Sequence, residues 1–204
     1  MFGSVPRLYP IIDTQISPRS VEFLLEQFAA AGLTWVQLRN KQAVSRELFE
    51  QACRFVELSR NHRLTSIIND RADIALFSGA DGVHLGQEDL PVTHARKILG
   101  PDKIIGCSTH NLTQALEAEA SAADYVAIGP VFATTSKENA DPIVSTQQLR
   151  HIRAQVKKPL VAIGGITTQN AREIWALGLE SVAVIRDLLQ AESPGEQVRR
   201  FLGS

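Results

Sequence analysis

Gly82-Val-His-Leu-Gly-Gln-Glu-Asp-Leu-Pro91 sets a short apolar run directly against a cluster of polar groups. Gly82 to Leu85 has the pattern of a strand, Gly86 permits a sharp turn, and Gln87, Glu88 and Asp89 fall in a loop. Pro91 then suits the first turn of a helix, where its missing N–H costs nothing. Strand, polar loop, helix is a unit that places chemistry at the strand's carboxyl end.

The same unit recurs on both sides. Upstream, Leu8-Tyr-Pro-Ile-Ile12 reads as a strand ending at Asp13, followed by helical spacing from Ser17 to Ala31 with Val21, Leu24, Leu25 and Phe28 on one face. Trp35-Val-Gln-Leu-Arg39 is a second strand, and Leu48, Ala52, Phe55 and Val56 mark the inner face of its helix. Ser66-Ile-Ile-Asn69 is the third, leading into a helical stretch from Arg71 to Phe77. Downstream come Ile104 to Ser108 with an Ala-rich helix from about Leu112, Tyr125 to Gly129, Leu160 to Gly164, and Ser181 to Ile185. The last three are short continuous apolar runs, as expected of strands buried on both faces. A helix around Gln147 to Gln155, another from about Gln169 to Ala176, a turn near Asp187 and a final helix bearing Val198, Phe201 and Leu202 complete the alternation.

Strands that alternate with helices need crossover connections and therefore pair in parallel. A doubly wound open sheet satisfies the alternation too. Eight regular units in 204 residues, however, fit the compact end of the (β/α)8, or TIM, barrel range, and the chain is expected to be one α/β barrel domain spanning residues 1–204. Catalytic groups should then stand on the loops that follow the strands.

Bulk composition narrows the function. The chain is 44% hydrophobic and 21% charged with a net charge of −1, so no general field attracts nucleic acid or anionic lipid. Neither nucleic acid nor membrane is an expected partner. No apolar run approaches the roughly 18 residues of a membrane helix, the first residues lack the apolar core of a signal peptide, and a cytoplasmic protein is expected. Cys53 and Cys107 lack paired spacing and read as reduced, packed thiols.

The strand ends collect a distinctive set: Asp13; Gln37 with Arg39 and Lys41; Asn69 with Asp70; Gln87 with Asp89; Ser108 with His110; Thr134 with Ser136 and Lys137; Gly164 with Gly165; and Arg186. Arg39 offers a planar fork for phosphate oxygens, while Lys41 and Lys137 are compact charges; together they suit a diphosphate. Taken singly, each is an ordinary surface cation. Asp70 and Asp89 would face one mouth and supply hard oxygens for Mg²⁺ alongside phosphate, although each also precedes a helix and reads equally as an N-cap. Gly164-Gly165 and the Ile185-Arg186-Asp187 turn match the barrel site where loop amides and a short helix bind a monophosphate; the alternative is a tight turn. His84, inside a strand, is read as a hydrogen-bonded core histidine, and His110 as a cap or a lining of the mouth.

At these residues the sequence resembles the thiamine-phosphate synthase family from about Leu8 to Leu189. The motifs that carry the resemblance are Val36-Gln-Leu-Arg-Asn-Lys41, Ile68-Asn-Asp-Arg71, Asp81 to Pro91, Gly129-Pro-Val-Phe-Ala-Thr-Thr-Ser-Lys137 and Ala162-Ile-Gly-Gly-Ile166. The resemblance implies a (β/α)8 transferase that joins a hydroxymethylpyrimidine diphosphate to a thiazole phosphate with Mg²⁺, releasing pyrophosphate. It assigns Gln37, Arg39, Lys41, Asn69, Ser108 and Lys137 to the pyrimidine diphosphate, with Arg39, Lys41, Ser108 and Lys137 in the catalytic set, and Asp70 and Asp89 to the metal. Thr134, Ser136, Gly165, Ile185 and Arg186 fall to the thiazole phosphate. The implied chemistry is ionisation of the pyrimidine CH₂–O bond and capture of the cation by the thiazole nitrogen.

The chain departs from the family pattern at Ser136 and Ile12, where Thr is usual, at Ser145, where Gly is common, and at Arg186, where Ser is common. The last two put the thiazole-phosphate side in question. Two other functions stay open: a thiazole tautomerase, for which His110 is the residue to test, and a non-catalytic sensor of a phosphorylated thiamine precursor. The loop from Glu138 to Ser145 is long enough to cover the mouth, and exposed outer helix faces leave a homodimer open.

Overall fold

The computed structural model describes residues 4–134 and 141–203. Eight strands close into a parallel barrel in chain order: β1 (Leu8–Asp13), β2 (Trp35–Arg39), β3 (Thr65–Asn69), β4 (Gly82–Leu85), β5 (Ile104–Thr109), β6 (Tyr125–Ile128), β7 (Leu160–Ile163) and β8 (Ser181–Val184). The seam between β1 and β8 is made by the pairs Leu8 with Val182 and Pro10 with Val184. Around them run α1 (Val21–Ala30), α2 (Ser45–Asn61), α3 (Ala72–Ser78), α4 (Val92–Leu99), α5 (Leu112–Ala120), α6 (Thr146–Gln155), α7 (Ala171–Ala176), the short α8 (Arg186–Leu189) and α9 (Pro194–Leu202). The closed sheet decides between the two architectures that the alternation allowed.

Period-two alternation separates two cores. Leu8, Ile12, Val36, Leu38, Ile68, Val83, Leu85, Ile105, Val126, Ile128, Leu160, Ala162, Val182 and Val184 point outward and pack beneath the helices. Tyr9, Ile11, Trp35, Ile67, Ile104, Tyr125, Ala127, Val161 and Ala183 point inward and fill the barrel. Tyr9, Trp35 and Tyr125 meet edge to face, with ring centroids 5.8, 5.9 and 6.0 Å apart. Such pairs are worth about 0.5–1.5 kcal/mol each beyond the area they bury. The space for Tyr125 comes from Gly106 on β5, where a Cβ would lie 2.1 Å from the tyrosine ring.

Inward positions at the carboxyl end change from apolar to polar, and register sets them side by side. Asp13 pairs with Arg39, Asn69 with His84, and His84 in turn with Gly106. The aromatic layer is thus a floor, and the polar layer above it is a mouth.

Candidate active site

Lined by residues from every strand end, the mouth is a cavity of about 1740 Å³. A pocket for one small ligand holds about 300–1,000 Å³, so there is room for two. Gln37, Arg39, Lys41, Asn69, Asp70, Asp89, Ser108, Thr134, Gly165, Ile185 and Arg186 all line it. Ser136 and Lys137 lie outside the described residues, as do Glu138 to Ala140 of the loop read as a cover.

On the β1–β4 side, charge is arranged in pairs. Arg39 Nη1 forms an ion pair with Asp13, whose carboxylate is fully buried and whose other oxygen accepts from the Gln15 amide at 3.0 Å. The guanidinium is thereby fixed in place, with Asp13 offsetting part of its charge. Lys41 Nζ reaches Asp70 Oδ2 at 2.9 Å. Asp70 adopts a left-handed backbone with φ of 65°, a conformation non-glycine residues seldom take and one that turns its carboxylate toward the rim.

Neither aspartate caps a helix. The N-caps of α3 and α4 are Arg71 and Pro91, without side-chain cap bonds; Asp89 Oδ2 instead accepts from the Gly86 amide at 2.6 Å and holds the turn after β4. Burial, then the neighbouring Asp70, raises the Asp89 carboxyl from its ordinary 3.8 to about 6. Two carboxylates that crowd each other in this way would be relieved by a cation between them. Among the described residues no three His, Cys, Asp or Glu side chains converge, so the protein would give a cation two carboxylates and leave the rest of its shell to ligand oxygens and water, the mode Mg²⁺ favours.

Facing these charges, Gly164 and Gly165 follow β7 with φ of 102° and 62°. Their Cβ positions are blocked by the chain after β6: Pro130 Cα lies 2.6 Å from the first and the Ala133 carbonyl oxygen 2.3 Å from the second. The glycines therefore have a packing reason of their own, the close passage of two loops, which is neither the phosphate site nor the tight turn that the sequence offered. The short α8 opens at Ile185, whose carbonyl accepts from the amides of Leu188 and Leu189. Asp187 ties this end of the mouth together by accepting from the Thr168 amide at 3.2 Å and from Gln197 Nε2 on α9 at 2.9 Å.

His84 is nearly buried and both ring nitrogens are engaged, as expected of a core histidine, yet it also lines the mouth. His110 does not cap α5; that bond is made by Asn111, which accepts from the Gln114 amide. Its Nδ1 lies 2.6 Å from the Gly129 carbonyl oxygen and 3.4 Å from Asp141 Oδ2. Ser145 caps α6 in a reciprocal box: its hydroxyl accepts from the Gln148 amide while the Gln148 side chain takes the Ser145 amide. That is a helix-start role with no contact to the phosphate side. Tyr9 and Tyr125 of the floor, and Gln197 and Arg200 of α9 on the rim, escaped the sequence reading. The tyrosines sit at inward positions of their strands, which is the one signal that could have found them.

Comparison with known proteins places this geometry in a family. The thiamine monophosphate synthase family model matches residues 8–188. The chain is 43% identical to a thiamine-phosphate synthase of Koribacter versatilis, covering 97% of this chain and 95% of the relative. It is 46% identical to one of Chlorobium phaeovibrioides, covering 95% and 91%. A solved thiamine phosphate pyrophosphorylase from Pyrococcus furiosus superposes with a TM-score of 0.86 at 38% identity, covering 97% of this chain and 94% of that one. The chain belongs to the thiamine monophosphate synthase family.

Proposed function

We propose that this mouth joins a hydroxymethylpyrimidine diphosphate to a thiazole phosphate, giving thiamine monophosphate and pyrophosphate with Mg²⁺ as cofactor. The observation that carries the reading is the division of one large cavity: Arg39, Lys41, Asp70 and Asp89 gather on one side, and the Gly165 turn and the start of α8 lie on the other. One side suits a diphosphate with its cation, the other a monophosphate.

Arg39, held by Asp13, and Lys41 stabilise negative charge as it grows on the departing diphosphate, and Lys137 shares that role. Electrostatic help of this kind is worth roughly 3–4 kcal/mol per well-placed donor. Asp70 and Asp89 would hold Mg²⁺, which would supply further neutralisation of that leaving group. Gln37, Asn69 and Ser108 orient the pyrimidine; Thr134, Ser136, Gly165, Ile185 and Arg186 receive the thiazole phosphate. The second substrate's ring nitrogen is the nucleophile, so no protein nucleophile is required. Both substrates are small phosphorylated molecules, and the cytoplasm is the compartment proposed. Cys53 and Cys107 are free thiols, which suits a reducing compartment.

The deciding assay is pyrophosphate release with both substrates and Mg²⁺, repeated with each substrate alone and with chelator. Release that needs both substrates and the metal is the expected result. No release, with the thiazole phosphate still bound, would overturn the reading.

A further inference from the structure

Beneath the mouth, five side chains form an unbroken file of hydrogen bonds from β2 to β5. Gln37 Nε2 donates to Tyr9 Oη at 2.9 Å; Tyr9 Oη lies 3.2 Å from Tyr125 Oη; Tyr125 Oη lies 2.9 Å from His84 Nδ1; and His84 Nε2 lies 2.8 Å from Ser108 Oγ. Gln37, His84 and Ser108 line the mouth, whereas Tyr9 and Tyr125 are 1% and 0% exposed and lie below it.

The proton count along this file leaves little freedom. Burial pushes both phenols well up, so each remains a neutral hydroxyl with one proton to give. A neutral imidazole has one donor and one acceptor nitrogen. If the Gln37 amide nitrogen donates to Tyr9, the arrangement that leaves no buried proton without a partner has Tyr9 donate to Tyr125, Tyr125 to His84 Nδ1, and His84 Nε2–H to Ser108. The Ser108 hydroxyl proton is then turned to the mouth, and so is the Gln37 amide oxygen, which takes no hydrogen bond from the described residues. If the amide is reversed, every bond reverses with it: the Gln37 NH₂ faces the mouth, and Ser108 can only accept. Mixed arrangements either set two acceptors against each other or put two donors on one hydroxyl oxygen and leave that hydroxyl's own proton without a partner in a buried place, at a cost for each group left unsatisfied.

We propose that Tyr9, Tyr125 and His84 are positioning residues that lock the amide orientation of Gln37 to the proton placement on Ser108, so that two walls of the mouth always present opposite hydrogen-bonding faces. Resting on the substrate reading above, the first arrangement matches an aminopyrimidine. Its exocyclic N–H meets the Gln37 oxygen at one edge, and a ring nitrogen at the far edge accepts from Ser108. The tyrosines touch no substrate and act through the groups they hold.

Two measurements test this. In protein labelled with ¹⁵N-histidine at pH 8, with the His84 signals assigned by their loss in His84→Gln, the wild type should show the Nε2–H tautomer. Gln37→Glu, whose carboxylate only accepts, should switch His84 to Nδ1–H although three bonds of the file separate the two side chains. An unchanged tautomer would overturn the proposal, and this readout stands whether or not the protein turns over. In pyrophosphate-release kinetics, Tyr9→Phe and Tyr125→Phe, which keep the ring packing, should each raise KM for the pyrimidine diphosphate about tenfold. The double variant should be no worse than the poorer single, since one break already uncouples the file. Effects that multiply, or a fall in thermal midpoint with KM unchanged, would reduce the tyrosines to packing. A wild type that releases no pyrophosphate would sink the proposed function and leave the tautomer experiment to decide the file.

Discussion

Replacing Lys137 by alanine should lower kcat on the order of 100-fold while changing KM for either substrate far less, because a charge aimed at the leaving group acts mainly in the transition state. Steady-state kinetics of Lys137→Ala decides this, and unchanged turnover would remove the residue from the chemistry. Asp89 makes a second prediction with a definite sign. Its carboxyl is raised from 3.8 to about 6, so the folded protein holds that proton more tightly than the unfolded chain. The stability it contributes is fully present below about pH 4 and is lost as pH rises through about 6. In chelator, the thermal midpoint should therefore fall between pH 4 and 7; Asp89→Asn should flatten the fall, and Mg²⁺ should oppose it in the wild type. Equal slopes for the two proteins in chelator would count against the crowded pair.

At the scale of elements, Ser145 gains a meaning that sequence comparison alone obscured. Because it caps α6 in a reciprocal box, Ser145→Ala should cost about 1 kcal/mol and Ser145→Gly only a few tenths. In a chain of this size that is about 2–4 °C in thermal midpoint for alanine, with kinetics unmoved. Gly165→Ala belongs to the loop after β7. There a left-handed φ of 62° and a backbone oxygen 2.3 Å from the new Cβ should cost about 2 kcal/mol and raise KM for the thiazole phosphate. Denaturant titration with parallel kinetics separates the two cases.

Most elements could be read from the chain because barrel strands buried on both faces are continuous apolar runs, and such runs need no partner to be recognised. Boundaries were harder. The first helix was expected from Ser17 but begins at Val21, since Ser20 takes the cap position and accepts from the Phe23 amide. The charged rim was legible for a similar reason: once the strands are placed, their carboxyl ends name the residues. Partnerships were not. Tyr9 and Tyr125 are 116 positions apart, and only barrel register brings their hydroxyls together. Asp70 and Asp89 look like caps in sequence because the backbone angle that turns Asp70 to the rim leaves no trace in composition.

For the molecule as a whole, the outward-facing core runs without interruption beneath all the helices from α1 to α9 and touches every strand. Unfolding followed by far- and near-ultraviolet circular dichroism should accordingly give one coincident transition. Separate midpoints would divide the barrel into independently stable parts.

The β1–β8 seam also sets a timetable for birth on the ribosome. β1 completes its ladder only against Val182 and Val184 of β8, near the end of the chain. At about 5–20 residues per second, translation leaves β1 with one open edge for roughly 10–35 s. Until β8 emerges, the nascent sheet has two unpaired borders, each a row of open N–H and C=O groups with which another chain could pair.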